Sequence, residues 1–304
     1  MNCSVVVPVL NESPAELNAT VRSIREAAPQ AELLVIDDAS STPVTLEDKS
    51  VRVIHNAHRT GGGASRHIGA LHATRDWLFF TDSHVRVFSG LGNFDPSTYP
   101  FPRTTLFCGS CVNIGEVGET QREKYFGARL VVHDQKEPVR TRILTGKWRP
   151  EKKDADGYEL SAVMGACYLI NREFFLSLGG LCALNGFGSE EELLSMKVLL
   201  AGGQIRLCKS LQIGHRFRTK TRPPYRIELW QCFYNTMICA HLCCPPDVAQ
   251  DLISRLGGGH DIALAKLKVQ EHWHSIAAER AYLERNVFKL DWQQYVGRIA
   301  AIDA

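Results

Sequence analysis

The sequence predicts an α/β fold in which a mostly parallel sheet is flanked by helices. Apolar runs of three or four residues recur through the first 80 residues, an amphipathic helix lies between the first two, and polar residues follow several of them. Short, wholly apolar runs are typical of strands that are covered on both faces. A strand, a helix and a second strand within about 35 residues make a βαβ unit, in which the two strands are parallel.

Each element of this fold has its own signal. Residues 13–16, Ser-Pro-Ala-Glu, have the pattern of a capping box with proline at the first helical position, and apolar residues follow on one face. A second helix is expected at about 64–73, and a third begins at Ser189 with Glu192 completing its capping box. Strands are expected at residues 5–7, 33–36, 51–54 and 77–80, and a further apolar run covers residues 162–170.

Composition favours a globular protein and argues against some functions. The 304 residues are 44% hydrophobic, which is enough to bury a full core. Thirty-five Lys and Arg against 33 Asp and Glu leave a formal net charge of +2, so the chain lacks the basic excess that indicates nucleic-acid binding. No apolar window approaches the roughly 18 residues of a membrane span, and no signal peptide is visible. We therefore expect a soluble, cytoplasmic protein.

The ten cysteines fit a reducing compartment, where buried thiols act as small apolar side chains. Cys108 and Cys111 have the spacing of a zinc knuckle. A structural zinc needs a second pair of ligands, however, and the adjacent Cys243 and Cys244 lack that spacing. We expect core cysteines instead of a zinc site.

Two residues of metal-ligand type, Asp82 and His84, follow the strand predicted at 77–80. Residues two apart at a strand end project to the same side, so both can bind one cation. Such a pair is also common as an ordinary hydrogen-bonded feature of loops. His215, after a later strand-like segment, can supply a third ligand. Mixed oxygen and imidazole ligands suit Mn²⁺, although Zn²⁺ or Fe²⁺ would also fit.

Other polar residues lie where α/β proteins bind ligands, beyond the carboxyl ends of the strands. Asn11 and Glu12 follow the first strand, and Asp38 follows the second. The glycine run 61–63 precedes the second helix, and its bare backbone permits close approach of a diphosphate. Glu190 opens a helix whose dipole favours a carboxylate, although a plain helix-capping acid cluster is the alternative.

The order of these motifs resembles that of one enzyme family, the polypeptide N-acetylgalactosaminyltransferases, whose catalytic domain has the GT-A fold, a Rossmann-like fold. The similarity covers about residues 3–245 and extends to the broader family 2 glycosyltransferases. Its most specific part is Asp-x-His with the later His-x-Phe-Arg, because family 2 enzymes usually carry Asp-x-Asp. The motifs are Asn11-Glu12, Asp37-Asp38-Ala39-Ser40, Arg66, Asp82-Ser83-His84, Gly186-Phe187-Gly188-Ser189-Glu190, Gly214-His215-Arg216-Phe217-Arg218 and Pro224-Tyr225.

The resemblance implies a metal-dependent glycosyltransferase that transfers a sugar from a UDP-sugar to a hydroxyl acceptor. Asp82, His84 and His215 would hold Mn²⁺ or another divalent cation on the diphosphate. Asp38 would contact the uracil, and Glu190 falls where the family has a glutamate near the sugar and the acceptor. The residues expected to bind the sugar donor are Pro8, Asn11, Glu12, Asp38, Arg66, Ser83 and Arg218.

Two stereochemical outcomes stay open. With the Asp-x-His resemblance as the guide, the reaction retains the anomeric configuration and the leaving phosphate helps to deprotonate the acceptor. Glu191 falls where inverting family 2 enzymes place a catalytic Asp base, and with Glu191 as base the reaction inverts. We favour retention.

Several features depart from the family pattern. The sequence shows no membrane anchor and no C-terminal lectin domain, and residues 164–167, Met-Gly-Ala-Cys, stand where the family has a glycine pair near the donor sugar. The acceptor is therefore open among a saccharide, a protein Ser or Thr, a small molecule and a modified DNA base. A non-catalytic nucleotide- or carbohydrate-binding protein of the same fold is a further alternative. A sugar-nucleotide pyrophosphorylase would need a phosphate loop that residues 8–14 do not provide.

These motifs also predict the domain organisation. We expect a GT-A domain at 1–221, with a nucleotide-sugar half at about 1–90 and an acceptor and metal half at about 91–221. A mainly helical C-terminal extension is expected at 222–304.

Overall fold

The computed structural model describes residues 2–115, 120–132, 144–149, 156–217 and 223–304. The strands in these ranges are β1 (Cys3–Val9), β2 (Glu32–Asp37), β3 (Arg52–His55), β4 (Trp77–Phe80), β5 (Val85–Ser89), β6 (Thr105–Ile114), β7 (Thr120–Phe126), β8 (Ala128–Val132), β9 (Leu144–Trp148), β10 (Tyr168–Asn171) and β11 (Gln204–His215). The helices are α1 (Pro14–Ala27), α2 (Gly62–His72), α3 (Arg172–Ser177), α4 (Glu190–Leu200), α5 (Leu229–Cys243), α6 (Pro246–Ser254), α7 (His260–Glu271), α8 (Trp273–Asn286) and α9 (Trp292–Asp303).

The main sheet has the order β3-β2-β1-β4-β10-β6-β11-β5, and β7 pairs with β6. Strands β3, β2, β1 and β4 are parallel neighbours, whereas β10 is antiparallel to β4 and β6, and β5 is antiparallel to β11. The predicted α/β fold with flanking helices is confirmed, but the sheet is mixed beyond β4. Between β4 and β10 the described residues contain no α-helix of the kind that usually connects parallel neighbours.

Strand register brings the candidate site residues to one edge. Val9 at the end of β1 pairs with Asp37 at the end of β2, and Val6 of β1 pairs with Phe80 at the end of β4. The segments that leave these three strands therefore begin side by side. At the opposite end of the strand order, β11 ends at His215, which pairs with Val85 of the last strand, β5.

The two predicted capping boxes are only partly formed. Ser13 does cap α1, because its Oγ accepts a hydrogen bond from the Glu16 N–H at 3.2 Å. The Glu16 carboxylate, however, pairs with Arg86 at 2.7 Å and with Arg216 at 2.9 Å in place of the cap. Ser189 makes no capping hydrogen bond, so that prediction was wrong. Its partner in the motif, Glu192, instead accepts a hydrogen bond from the N–H of Gly146 at 2.7 Å.

One strand prediction also needs correction, and one apolar run is only partly a strand. The strand predicted at 51–54 is β3 at the edge of the sheet, where Arg52 and His55 are exposed, so it is not covered on both faces. In the apolar run 162–170 only the part from Tyr168 onward is a strand. The preceding residues are an irregular buried segment that passes under the cleft described below, and apolar runs of this kind do not distinguish a strand from a buried loop.

The C-terminal helices pack against the α/β part. Helix α5 contacts α4, which covers β6 and β11, and α6, α7 and α8 pack around α5. Lys197 of α4 is fully buried, with its Nζ 2.8 Å from Glu279 Oε1 of α8. The division at residue 221 stays a prediction. No helix in the described ranges is long and apolar enough to cross a membrane.

All ten cysteines are free thiols, and only Cys182 is exposed. Burial raises the pKa of both Cys108 and Cys111 to about 12, as expected of thiols packed in an apolar core. The expectation of core cysteines matches this arrangement.

Candidate functional site

A cleft of about 470 Å³ lies at the carboxyl edge of β1, β2 and β4. This volume is in the range of pockets that bind small molecules and cofactors. Most of the residues predicted from the sequence line it, namely Pro8, Glu12, Asp38, Arg66, Asp82, Ser83, His84, Glu190, Glu191 and His215.

The three predicted metal ligands come together in this cleft. One possible ligand atom each of Asp82, His84 and His215 lies within 4.8 Å of the other two. His215 Nε2 is 3.2 Å from Asp82 Oδ2, and the two imidazole centroids are 4.9 Å apart. Asp82 and His84 are not on a strand, since β4 ends at Phe80; the turn after β4 brings them together.

Arg66 of α2, together with His215, keeps the Asp82 carboxylate ionised. Its Nη2 lies 2.6 Å from Asp82 Oδ1, and its side chain is only 6% exposed. Burial raises the pKa of Asp82, but the hydrogen bond to His215 and the positive charge of Arg66 outweigh it and hold that pKa well below its usual range. Asp82 is therefore ionised at neutral pH, as a metal-binding carboxylate must be.

The chemistry of this donor set fits a divalent cation. It combines one ionised carboxylate with two imidazoles, and the partly buried residues leave the ligand atoms facing a cleft. Oxygen with imidazole nitrogen is a set that Mn²⁺, Zn²⁺ and Fe²⁺ accept. The geometry alone does not choose among these ions.

The acids at the start of α4 have different surroundings. Glu190 Oε1 is 3.6 Å from Arg66 Nη1, so Glu190 belongs to the same charged network as Asp82. Glu191 lies against Gly165, because a methyl group placed on Gly165 would be 2.9 Å from Glu191 Oε1. Desolvation, with the charges of Glu190 and Glu192, raises the pKa of Glu191 to about 8. Glu191 is thus mostly protonated at neutral pH.

The glycine run before α2 has a packing role. Gly61 has φ +99°, and a Cβ added to it would lie 2.0 Å from the carbonyl oxygen of Gly186. The N–H of Gly186 donates to the Thr60 carbonyl at 2.9 Å. Gly61 and Gly62 also line the cleft, so the predicted approach of a diphosphate to these glycines stays a prediction.

Three residues of the predicted sugar-donor set differ from the rest. The carboxylate of Asp38 accepts hydrogen bonds from the N–H groups of Thr60 and Gly61 at 2.7 and 2.8 Å, so it anchors the turn before α2. Its contact with a uracil stays a prediction. Asn11 is not among the cleft-lining residues, and its Nδ2 donates to the Pro224 carbonyl at 3.3 Å. Arg218 lies outside the described residues.

The sequence did not reveal two side chains that line the cleft, Arg59 and Trp148. The Arg59 guanidinium lies over the ring of Tyr225, 5.4 Å from its centroid. Trp148 ends β9 and packs edge-on against Phe217, with centroids 5.2 Å apart. A basic residue just before the glycine run was a signal for Arg59, whereas nothing in the spacing around Trp148 pointed to the site.

Asn235 of α5 supports the cleft from the C-terminal part. The side chain is fully buried, and its Nδ2 donates to the carbonyls of Asn185, Phe187 and Gly188 at 2.9, 3.2 and 2.9 Å. Its Oδ1 accepts from the Asn185 N–H at 2.9 Å. The loop that these bonds hold forms one wall of the cleft and leads directly into Glu190.

Comparison with known proteins finds similarity to the same family that the motifs resemble. Residues 4–91 match the glycosyl transferase family 2 model. The chain is 29% identical over 232 residues to N-acetylgalactosaminyltransferase 6 of Drosophila melanogaster, an alignment that covers 71% of this chain and 34% of the relative. It is 26% identical over 240 residues to human polypeptide N-acetylgalactosaminyltransferase 10, covering 74% of this chain and 39% of the relative. The chain thus spans little more than a third of the length of these relatives.

The fold comparison agrees. A crystal structure of GalNAc-T7 with UDP, GalNAc and Mn²⁺ superimposes with a TM-score of 0.61 at 22% sequence identity, covering 92% of this chain and 57% of the other. The predicted GT-A fold and the resemblance to the N-acetylgalactosaminyltransferase catalytic domain are confirmed.

Proposed function

We propose that this chain is a metal-dependent glycosyltransferase that transfers a sugar from a UDP-sugar to a hydroxyl acceptor with retention of anomeric configuration. The observation that carries the proposal is the convergence of Asp82, His84 and His215 in one cleft. The relatives that share this fold are N-acetylgalactosaminyltransferases, and GalNAc-T7 binds UDP and Mn²⁺.

The metal centre accounts for the first part of the reaction. Asp82, His84 and His215 would hold the cation, whose positive charge stabilises the diphosphate as it leaves the sugar. Arg66 adds a buried positive charge beside the same carboxylate, 2.6 Å from Asp82. Because Arg66 is buried, its fixed charge stabilises developing negative charge more strongly than a charge in bulk solvent would.

The bond changes can be assigned to groups at the cleft. The bond between the anomeric carbon and the phosphate oxygen breaks, and a bond from that carbon to the acceptor oxygen forms. The acceptor proton must go to a base, for which the leaving phosphate and Glu191 are the alternatives. Burial and the neighbouring carboxylates raise the pKa of Glu191, so the resting protein holds this residue mainly in the protonated form. A protonated carboxyl cannot take up the acceptor proton, which favours the phosphate and hence retention.

Glu190 is the residue proposed to contact the sugar or the acceptor. It lies 3.6 Å from Arg66, lines the cleft and follows the loop that Asn235 holds. A carboxylate fixed in this way can accept hydrogen bonds from sugar hydroxyls. The acceptor stays open among a saccharide, a protein Ser or Thr, a small molecule and a modified DNA base, and the cytoplasmic location also stays a prediction.

The test is calorimetric titration of the purified chain with UDP and a panel of UDP-sugars, with Mn²⁺ and then with EDTA. We expect binding that requires the metal, and the UDP-sugar that binds most tightly identifies the sugar. Metal-independent binding, or binding of another nucleotide in preference to UDP, would contradict the proposal. With the sugar donor in hand, the anomeric configuration of the product, read by proton NMR, separates retention from inversion.

A further inference from the structure

Glu12, in the segment between β1 and α1, contacts the ring of His84. Its Oε2 lies 3.3 Å from His84 Nδ1 and accepts a hydrogen bond from Ser83 Oγ at 3.2 Å. Its Oε1 accepts a hydrogen bond from the N–H of Ser13 at 3.1 Å. With partners on both oxygens and a side chain only 7% exposed, the Glu12 carboxylate is held in one position.

A carboxylate in this position selects one form of the imidazole. An ionised carboxylate can only accept hydrogen bonds, so the histidine nitrogen that faces it carries the proton. Nδ1 of His84 lies 3.3 Å from Glu12 Oε2 and 3.4 Å from Ser83 Oγ, whose own hydroxyl hydrogen points to Glu12. Both neighbours of Nδ1 are therefore acceptors, which leaves Nε2 as the nitrogen with a free lone pair. Histidines that bind metals commonly donate their other N–H to a carboxylate, and this contact fixes both the tautomer and the orientation of the ring.

We propose that Glu12 is a positioning residue of the metal centre, which holds the His84 ring so that Nδ1 keeps its proton and Nε2 binds the cation. This inference rests on the proposed metal-dependent function. It gives Glu12 a role different from the direct contact with the sugar donor that the sequence predicted. Ser83, also predicted to bind the sugar donor, contributes a hydrogen bond from its hydroxyl group to the same carboxylate.

The first test compares the Mn²⁺ affinity of the wild-type chain with that of Glu12→Gln, without nucleotide. Loss of the electron paramagnetic resonance signal of free Mn²⁺ measures binding directly. Because outer partners of metal ligands typically contribute 10- to 100-fold to affinity, we expect the dissociation constant to rise at least about 10-fold. Glu47→Gln is the matched control, since the Glu47 side chain is 69% exposed and pairs only weakly with Arg22 at the surface.

A second measurement uses the unchanged chain and so does not depend on folding of the variant. Nitrogen-15 NMR of histidine-labelled protein, with Zn²⁺ as a diamagnetic cation, shows which ring nitrogen of His84 binds metal and which keeps its proton. We expect a metal-bound Nε2 and a protonated Nδ1, and metal on Nδ1 would overturn the inference.

The outcomes separate this inference from the proposed function. If the wild type binds Mn²⁺ and Glu12→Gln binds it equally well, the role of Glu12 is wrong while the metal-dependent function stands. If the wild type binds no Mn²⁺, both fail. Melting temperatures measured in EDTA, which we expect to agree within a few degrees, confirm that Glu12→Gln retains the fold.

Discussion

The backbone N–H of Arg216 donates to the carbonyl oxygen of His84 at 3.1 Å. This bond extends the pairing of β11 with β5 to the point where both strands meet the cleft. It fixes the spacing between His84 and the neighbouring His215, which come from segments more than 100 positions apart in the chain. Two candidate ligands are therefore placed by the sheet itself.

Loss of either Asp82 or His215 as a ligand of this centre should remove metal-dependent binding. For Asp82→Asn and His215→Ala, we expect the affinity for UDP in the presence of Mn²⁺ to fall by more than the roughly 10- to 100-fold that outer partners of metal ligands contribute. Calorimetry measures the affinity, and circular dichroism checks the fold. Asp95→Asn is the control, because Asp95 is exposed and caps a short turn through Ser97. Turnover of a UDP-sugar unchanged in His215→Ala would refute the metal assignment.

The raised pKa of Glu191 predicts a stability difference that depends on pH. The folded state keeps a proton up to about pH 8, whereas an unfolded glutamate loses it near pH 4.3. The stability from the protonated form is therefore fully present below about pH 4 and is lost as the pH rises through about 8. Glu191→Gln cannot ionise. We therefore expect its free energy of unfolding, relative to that of the wild type, to increase by at least about 1 kcal/mol between pH 5 and pH 9.

Urea unfolding at pH 5, 7 and 9 measures this difference for Glu191→Gln. Glu47→Gln, at an exposed glutamate, should show no comparable trend. A constant difference between Glu191→Gln and the wild type across the three pH values would show that Glu191 ionises normally in the folded protein.

Replacing Asn235 should destabilise the loop at 185–188, which forms one wall of the cleft. Asn235→Leu has a similar size but removes the hydrogen bonds that Asn235 makes to three carbonyls and one N–H of the loop at 185–188. Buried polar groups without partners cost about 1–3 kcal/mol each, partly relieved by water, so we expect a loss on the order of 3 kcal/mol in the free energy of unfolding. Asn286→Leu is the control, since exposed Asn286 bonds only within its own helix, to Tyr282. Equal effects of the two substitutions would contradict this role.

The backbone of Gly61 pairs with that of Gly186, and this contact predicts a sharp contrast between two glycines. Gly61→Ala places a Cβ 2.0 Å from the Gly186 carbonyl oxygen, at a residue whose φ is positive. We therefore expect the free energy of unfolding to fall by at least about 2 kcal/mol and UDP to bind more weakly. A Cβ on Gly258 would meet nothing within 4 Å. Gly258→Ala should therefore be neutral or slightly stabilising. Thermal unfolding and calorimetry compare the two, and a tolerated Gly61→Ala would show that the two loops separate easily.

The sequence predicted the parts of the site that depend on local patterns. Polar residues after apolar runs located Glu12, Asp38 and Asp82, because the strand ends of a parallel sheet lie along one edge. A strand-like segment before His215 suggested it as a third ligand, but its place beside Asp82 and His84 rested on the motif resemblance, since nothing local says that β11 ends beside β5. Trp148 and Asn235 could not be found, because their roles come from packing between distant segments. Glu16 and Ser189 were misassigned for a similar reason: tertiary ion pairs and a left-handed backbone outweighed the local capping pattern.

Asn235 also has a consequence for the order of events during synthesis. It follows Gly188, the last carbonyl that it binds, by 47 positions, and His215 lies between them. The chain leaves the ribosome from its N-terminus, and Asp82 and His84 emerge long before the groups that complete their surroundings. A nascent chain that stops before α5 can form the parallel strands, but its loop at 185–188 lacks the side chain that holds it. Ribosome-bound chains of increasing length should therefore acquire tight nucleotide binding abruptly, once α5 has emerged.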